Sequence, residues 1–150
     1  MIIVSACLAG ISCRYNGEGS LDGEIRKLLQ EGRAIPLCPE QLGGCPTPRR
    51  KAEIYKGTGG DVLDGKCIIV DEKGEDVTTR FVRGAEEVLK IAKIVGADKA
   101  FLKANSPSCG CGQIYDGTFS GNLTIGNGVT AELLIRNGII VKSESEIGNK

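Results

Sequence analysis

Seven cysteines and no histidine define the chemistry open to this 150-residue chain. The absence of imidazole excludes Ser-His and Cys-His nucleophile pairs, histidine-ligated zinc and an imidazole general base. Any reaction must therefore run on thiol, carboxylate, hydroxyl, lysine or a cofactor. The cysteines are scattered: Cys7 in SACLAG, Cys13 in ISCRYNG, Cys38 in LCPE, Cys45 in LGGCPTP, Cys67 in KCIIV, and Cys109 with Cys111 in SPSCGCG. No C-x-x-C knuckle occurs, although such knuckles are the usual source of paired zinc ligands. Widely spaced thiolates suit an iron-sulfur cluster in which one iron lacks a protein ligand and can act as a Lewis acid.

The elements that must carry these thiols follow an α/β order. Ile2 to Ala6 reads as a short β-branched strand, and Leu21 to Gln30 as an amphipathic helix stopped by Gly32. Ala34 to Leu37 reads as a second strand, and residues 43 to 60 as a long irregular loop carrying Arg49, Arg50 and Lys51. Lys66 to Val70 and Glu75 to Val77 are expected to pair as a hairpin. A helix capped at Thr78 or Thr79 should run to Gly96. Ala100 to Ala104 reads as a third buried strand, and 117 to 128 as a glycine-rich loop. Thr130 to Arg136 reads as a helix leading to the strand Ile139 to Lys142, and Ser143 to Lys150 as a polar tail.

This order predicts one domain over residues 1–150, a three-layer Rossmann-like α/β sandwich with a mostly parallel sheet. Cys7 and Cys38 then end the first two strands, and Cys109 lies in the turn after the third. In such sheets ligands bind at the carboxyl ends of the strands, so these three thiols should converge there. Cys67 reads as packing, while Cys13, Cys45 and Cys111 are left as possible auxiliary ligands.

Composition narrows the partners. Nineteen basic and nineteen acidic residues cancel, which argues against a protein held to nucleic acid by its net field. MIIVSACLAG has no basic leader and too short an apolar run to span a bilayer, so a cytoplasmic protein without membrane association is expected. An odd cysteine count in a reducing compartment is not a disulfide framework. No obligate protein partner is identifiable.

Several longer stretches occur in order: VSACLAG (4–10), RYNG (14–17), CPEQLGGCPTPR (38–49), GEDVT (74–78), KANSPSCG (103–110), QIYDGTFSG (113–121) and GVTAELLIRNGI (128–139). Together they resemble a family of small bacterial and archaeal domains whose understood members are thiouracil desulfidases. The resemblance implies a Rossmann-like fold and an oxygen-sensitive [4Fe-4S] cluster held by Cys7, Cys38 and Cys109. It also implies catalytic roles for Glu40 of CPE and a serine of SPSC, Ser106 or Ser108. Cys45 departs from the family, which usually has an apolar residue there.

The implied reaction is a non-redox conversion of thiouracil, or a similar thiocarbonyl compound, to the oxo compound and hydrosulfide. Sulfur would meet the open iron, Glu40 would serve as base for water or as proton donor to the ring, and Ser106 or Ser108 would orient the heterocycle. The substrate would be a small thiolated heterocycle, with a thiolated nucleoside or tRNA as further options. If it carries phosphate, Arg49, Arg50 and Lys51 are the first candidates to touch it. The rival functions are an iron-sulfur electron-transfer or sulfur-trafficking protein without hydrolytic activity, and a structural zinc module.

Overall fold

A computed structural model describes residues 1–147. Its core is a four-stranded parallel sheet of β1 (Ile2–Ser5), β2 (Ala34–Leu37), β5 (Lys99–Leu102) and β8 (Ile140–Ser143), in the order β2-β1-β5-β8. Both faces are covered, which is why the strands read as nearly continuous apolar runs rather than alternating ones. Ile3, Ala100, Leu102 and Val141 face α4 (Thr78–Ile94) and α5 (Val129–Arg136). Val4 and Phe101 face Ile25 and Leu28 of α1 (Gly23–Gln30) on the other side. The predicted three-layer sandwich with a mostly parallel sheet is therefore observed.

Local signals account for the helix limits. Asp22 caps α1, its carboxylate accepting from the backbone N–H of Glu24 and Ile25. Thr58 and Asp61 form a reciprocal capping box on α3 (Gly59–Leu63). In contrast, the residue before α4 is Val77, which offers no side-chain cap, and Thr78 is already helical. The Thr78 hydroxyl instead accepts from the backbone N–H of Ile69 and ties α4 to β4 (Ile68–Asp71).

Three expectations are corrected. The stretch 43–60 is not loop throughout: Ala52–Tyr55 forms β3, which pairs antiparallel with β4 and takes the partner expected for a local hairpin. Only a single bridge, Val70 to Asp76, remains of that hairpin. Leu123–Ile125, inside the glycine-rich stretch, forms β7 against β6 (Gln113–Tyr115). The expected polar tail begins too early, because Ser143 completes β8, Glu144–Glu146 makes a 3-10 turn, and Ile147 is buried beneath α1. The rest of that tail, 148–150, lies outside the described residues.

The topology prepares a site. From central β1 the chain runs through α1 to β2 on one side, then crosses to β5 on the other. A crevice forms where the strand order reverses in this way, outside the carboxyl ends of the strands. The segments following β1, β2 and β5 all open into it.

Candidate functional site

Each segment contributes a thiol. Cys7 lies in the 3-10 turn Ala6–Ala9 that directly follows β1. Cys38 follows β2 and is the N-cap of the short helix α2 (Pro39–Leu42), whose Pro39 stands at the first helical position. Cys109 follows β5 in the SPSC turn. All three line one cavity of about 170 Å³, together with Ser5, Cys13, Glu40, Arg49 and Ser106. Cys7 and Cys109 are buried and Cys38 is half-buried.

The SPSC turn is built to hold its cysteine. The Ser106 hydroxyl accepts from the Cys109 N–H at 2.7 Å, and the Gly110 N–H donates to the Ser106 carbonyl at 2.9 Å. A side chain at Gly110 would lie 2.7 Å from the Gln113 carbonyl oxygen and 2.8 Å from that of Ser106, so the turn closes only on glycine. Beneath it, the carbonyls of Pro107 and Ser108 accept from the first free N–H groups of α5, those of Val129 and Thr130. The helix thus braces the turn while its own unpaired donors are satisfied. Asn105, just ahead, adopts φ of 75°, a region that asparagine tolerates better than most residues.

The two serines part company. Ser106 lines the cavity. Ser108 is fully buried, its hydroxyl is paired with Thr130 Oγ1 at 2.8 Å, and it does not reach the cavity wall. The structure therefore leaves Ser106 as the serine of this pair that faces a ligand.

Of the auxiliary cysteines, only Cys13 enters the site. It is buried, its thiol is within hydrogen-bonding reach of the Cys7 and Cys38 thiols, and its carbonyl lies 3.8 Å from Cys38 Sγ. Cys111 turns the other way, its thiol donating to the Val141 carbonyl at 3.4 Å. Cys45 packs with Ile54, Phe81 and Ala85, and Cys67 donates to the Thr58 carbonyl at 3.7 Å.

Glu40, in the first turn of α2, points one oxygen at Arg49: Oε2 is 3.3 Å from Nη2, with both side chains largely enclosed. Its other oxygen, Oε1, is buried without a partner. Arg49 was expected on a solvated loop face, and the lack of any periodic context around it gave no sign of this bond. Of its basic neighbours, Arg50 is held by Asp71 and Glu75, whereas Lys51 lies 5.0 Å over the Tyr115 ring at the cavity wall. Ser5 was missed entirely; it lines the cavity, hydrogen-bonds the Cys109 thiol and accepts from the Lys103 N–H at 2.9 Å.

The thiols resist ionisation. The Cys38 thiol is pushed up by its bond to Cys13, then by burial and the charge of Glu40; Cys109 is pushed up by burial, then by Glu40. For Cys13 the bond to Cys38 acts downward, but Cys7, burial and Glu40 outweigh it and raise the thiol from the ordinary 9.0 to about 11. A raised thiol contributes stability that is complete below its unfolded value and lost as pH rises through its folded one. The melting temperature of the metal-free protein is accordingly expected to fall between pH 9 and 11, and to fall less in Cys13→Ala. Identical profiles for the two proteins would remove Cys13 from this account.

Such a set of buried thiols becomes favourable when a bound cation supplies the charge that deprotonates them. Soft sulfur donors select iron-sulfur clusters, zinc or cuprous copper. Among the described residues, however, no three histidine, cysteine or carboxylate side chains close around a point to hold a single metal ion. The donors are arranged about a wider space, which fits a polynuclear cluster better than a structural zinc. No helix among the described residues is long and apolar enough to cross a membrane.

The comparisons with known proteins run over nearly the whole chain. A family model described as 2-thiouracil desulfurase matches residues 2–146. A Bacillus subtilis (strain 168) protein described as uncharacterized protein YbbK is 53% identical over 149 residues, covering 99% of each chain. Among solved structures, a [4Fe-4S]-dependent thiouracil desulfidase, TudS, superposes with a TM-score of 0.88 at 44% identity. The match covers 99% of this chain and 93% of that one.

Proposed function

The chain belongs to the 2-thiouracil desulfurase family, and from that premise we propose that it is a [4Fe-4S]-dependent desulfidase converting a thiolated nucleobase to its oxo form and hydrosulfide. Cys7, Cys38 and Cys109 would hold the cluster. The observation that carries the reading is their convergence, from three strand ends, on one cavity that Glu40 and Ser106 also line.

When bound, a three-cysteine cluster supplies an iron without a protein ligand, a Lewis acid with affinity for sulfur. The chain's own residues do the rest. Glu40 Oε1 has no protein partner and is free to take a proton from water at the thiocarbonyl carbon, or to pass one to the ring nitrogen. Ser106 keeps a hydroxyl proton to donate, because its oxygen is the acceptor for the Cys109 N–H, and that proton can fix the heterocycle. Burial of the cavity floor restricts competing water. Arg14 and Lys51 border the same cavity and pair with no carboxylate among the described residues, which supports a substrate extended by a sugar or phosphate, such as a nucleoside or a tRNA position.

Anaerobic incubation of the reconstituted protein with 2-thiouracil and 4-thiouracil tests the reading, with uracil and hydrosulfide expected in equal amounts. Iron-loaded protein that forms neither product from any thiolated base, nucleoside or nucleotide would overturn it. Glu40→Gln is expected to retain iron and lower kcat by about 100-fold or more, the usual contribution of a general acid or base.

One observation favours the rival, a cluster protein without hydrolytic activity: Cys13 brings a fourth thiol into the cavity and could close the open iron. Under the desulfidase reading, Cys13→Ala keeps both its cluster absorbance and its turnover. Loss of the cluster in that variant would support the rival.

A further inference from the structure

Arg49 is the most fully bound side chain at the site, and no step above uses it. Its Nη2 reaches Glu40 Oε2 at 3.3 Å and the Cys13 carbonyl at 3.1 Å, while Nη1 reaches the Pro46 carbonyl and Thr47 Oγ1, each at 3.2 Å. Its backbone N–H donates to the Tyr15 carbonyl at 2.8 Å. The Thr47 hydroxyl in turn accepts from Gln41 Nε2 at 2.9 Å, one residue beyond Glu40. A planar guanidinium with several fixed donors suits this work; a lysine ammonium could satisfy only part of it.

We infer that Arg49 is a positioning residue that acts through Glu40. It holds Oε2 and thereby leaves Oε1, the buried oxygen without a partner, as the atom that meets the substrate. Without the guanidinium, the carboxylate on its two-bond stem can rotate either oxygen toward the cavity or fold toward the thiols. The same side chain fixes the Cys13 carbonyl, so the segment after β1 and the start of α2 are registered against each other by one cation. The inference rests on the desulfidase reading for its kinetic test, but the ion pair itself can be tested apart from turnover.

The experiment compares Arg49→Gln, Arg49→Lys, Glu40→Gln and the Arg49→Gln/Glu40→Gln double variant, all reconstituted anaerobically. Iron content, melting temperature and thiouracil kinetics are measured on each. A misplaced catalytic group costs on the order of 100-fold, so Arg49→Gln should lose about that much in kcat, with KM changed by less than about threefold and iron retained. Arg49→Lys should recover part of the loss, and the double variant should be no slower than Glu40→Gln alone. Removing one member of a buried ion pair strands the other charge. The melting temperature should therefore fall more in Arg49→Gln than in the double variant, a readout that needs no activity.

Independent, multiplying losses in kcat would overturn the inference, as would a change confined to KM, which would make Arg49 a substrate contact. Equal melting temperatures in the single and double variants would also overturn it. Failure of the wild-type protein to turn over any thiolated compound would count against the desulfidase reading alone, because the coupling in melting temperature would still report on the pair.

Discussion

Replacing Cys7, Cys38 or Cys109 with alanine is expected to reduce bound iron to background and abolish turnover, while Cys67→Ala and Cys111→Ala keep both. The contrast follows from where each sulfur points. Cys38 opens α2 with its thiol on the cavity, and Cys109 is presented by a turn held from one side by Ser106 and from below by α5. Cys111, only two residues on, faces the opposite layer and donates to Val141, and Cys67 donates to Thr58. Iron and sulfide assays after anaerobic reconstitution, read beside the visible absorbance, decide the matter. Retained iron in Cys109→Ala, or lost iron in Cys111→Ala, would show that the ligand set is drawn wrongly.

Gly84→Ala is expected to be the most damaging single methyl group added to the chain, although Gly84 lies far from the thiols in sequence. Helices α2 and α4 meet backbone to backbone: a Cβ at Gly84 would lie 1.9 Å from the Pro39 carbonyl oxygen, and one at Gly43 would lie 1.9 Å from that of Arg80. Alanine at a helix interior gains about 1 kcal/mol over glycine from propensity. The overlap costs more, about 3 kcal/mol, and it is relieved only by moving α2 as a body. That helix carries Glu40 and begins at Cys38, so the relief is taken at the site. A melting temperature lowered by several degrees, about 5 to 10 °C, should be accompanied by a fall in kcat of about 100-fold. Gly23→Ala, in open space at the start of α1, serves as the control and should be neutral or slightly stabilising. A stable, active Gly84→Ala protein would mean that α2 can shift without disturbing its thiol.

The strand ends were legible in the sequence because strands covered on both faces leave compact apolar runs, and each run here stops at a thiol or turn residue. Cys7, Cys38 and Cys109 could therefore be grouped before any coordinates were considered. Strand β3 was not legible, since Ala52–Tyr55 alternates weakly and lies among prolines and glycines that read as loop. Its pairing partner β4 was consequently assigned to the wrong neighbour, as local hairpin rules favour the nearest segment. Cys13 and Arg49 were missed for a shared reason. Both sit in irregular chain, where their positions are set by bonds to backbone carbonyls contributed from distant segments rather than by any period in the sequence. The opposite roles of Ser106 and Ser108 turn on the α5 contact with Thr130, which no spacing within SPSC encodes.

The strand order also constrains when the site can come into being. The three neighbouring strands that present the thiols are β2, β1 and β5, and the last of them lies well into the second half of the chain. During synthesis, Cys7, Cys13 and Cys38 emerge and can gather long before Cys109 exists, and α5, which braces the Cys109 turn, comes later still. A nascent chain therefore offers an incomplete thiol nest that a scavenging metal or oxidant could occupy first. Delivery of iron and sulfide must follow closure of the sheet, which makes maturation of this protein a post-translational event and ties its yield in the cell to how long that early nest is shielded.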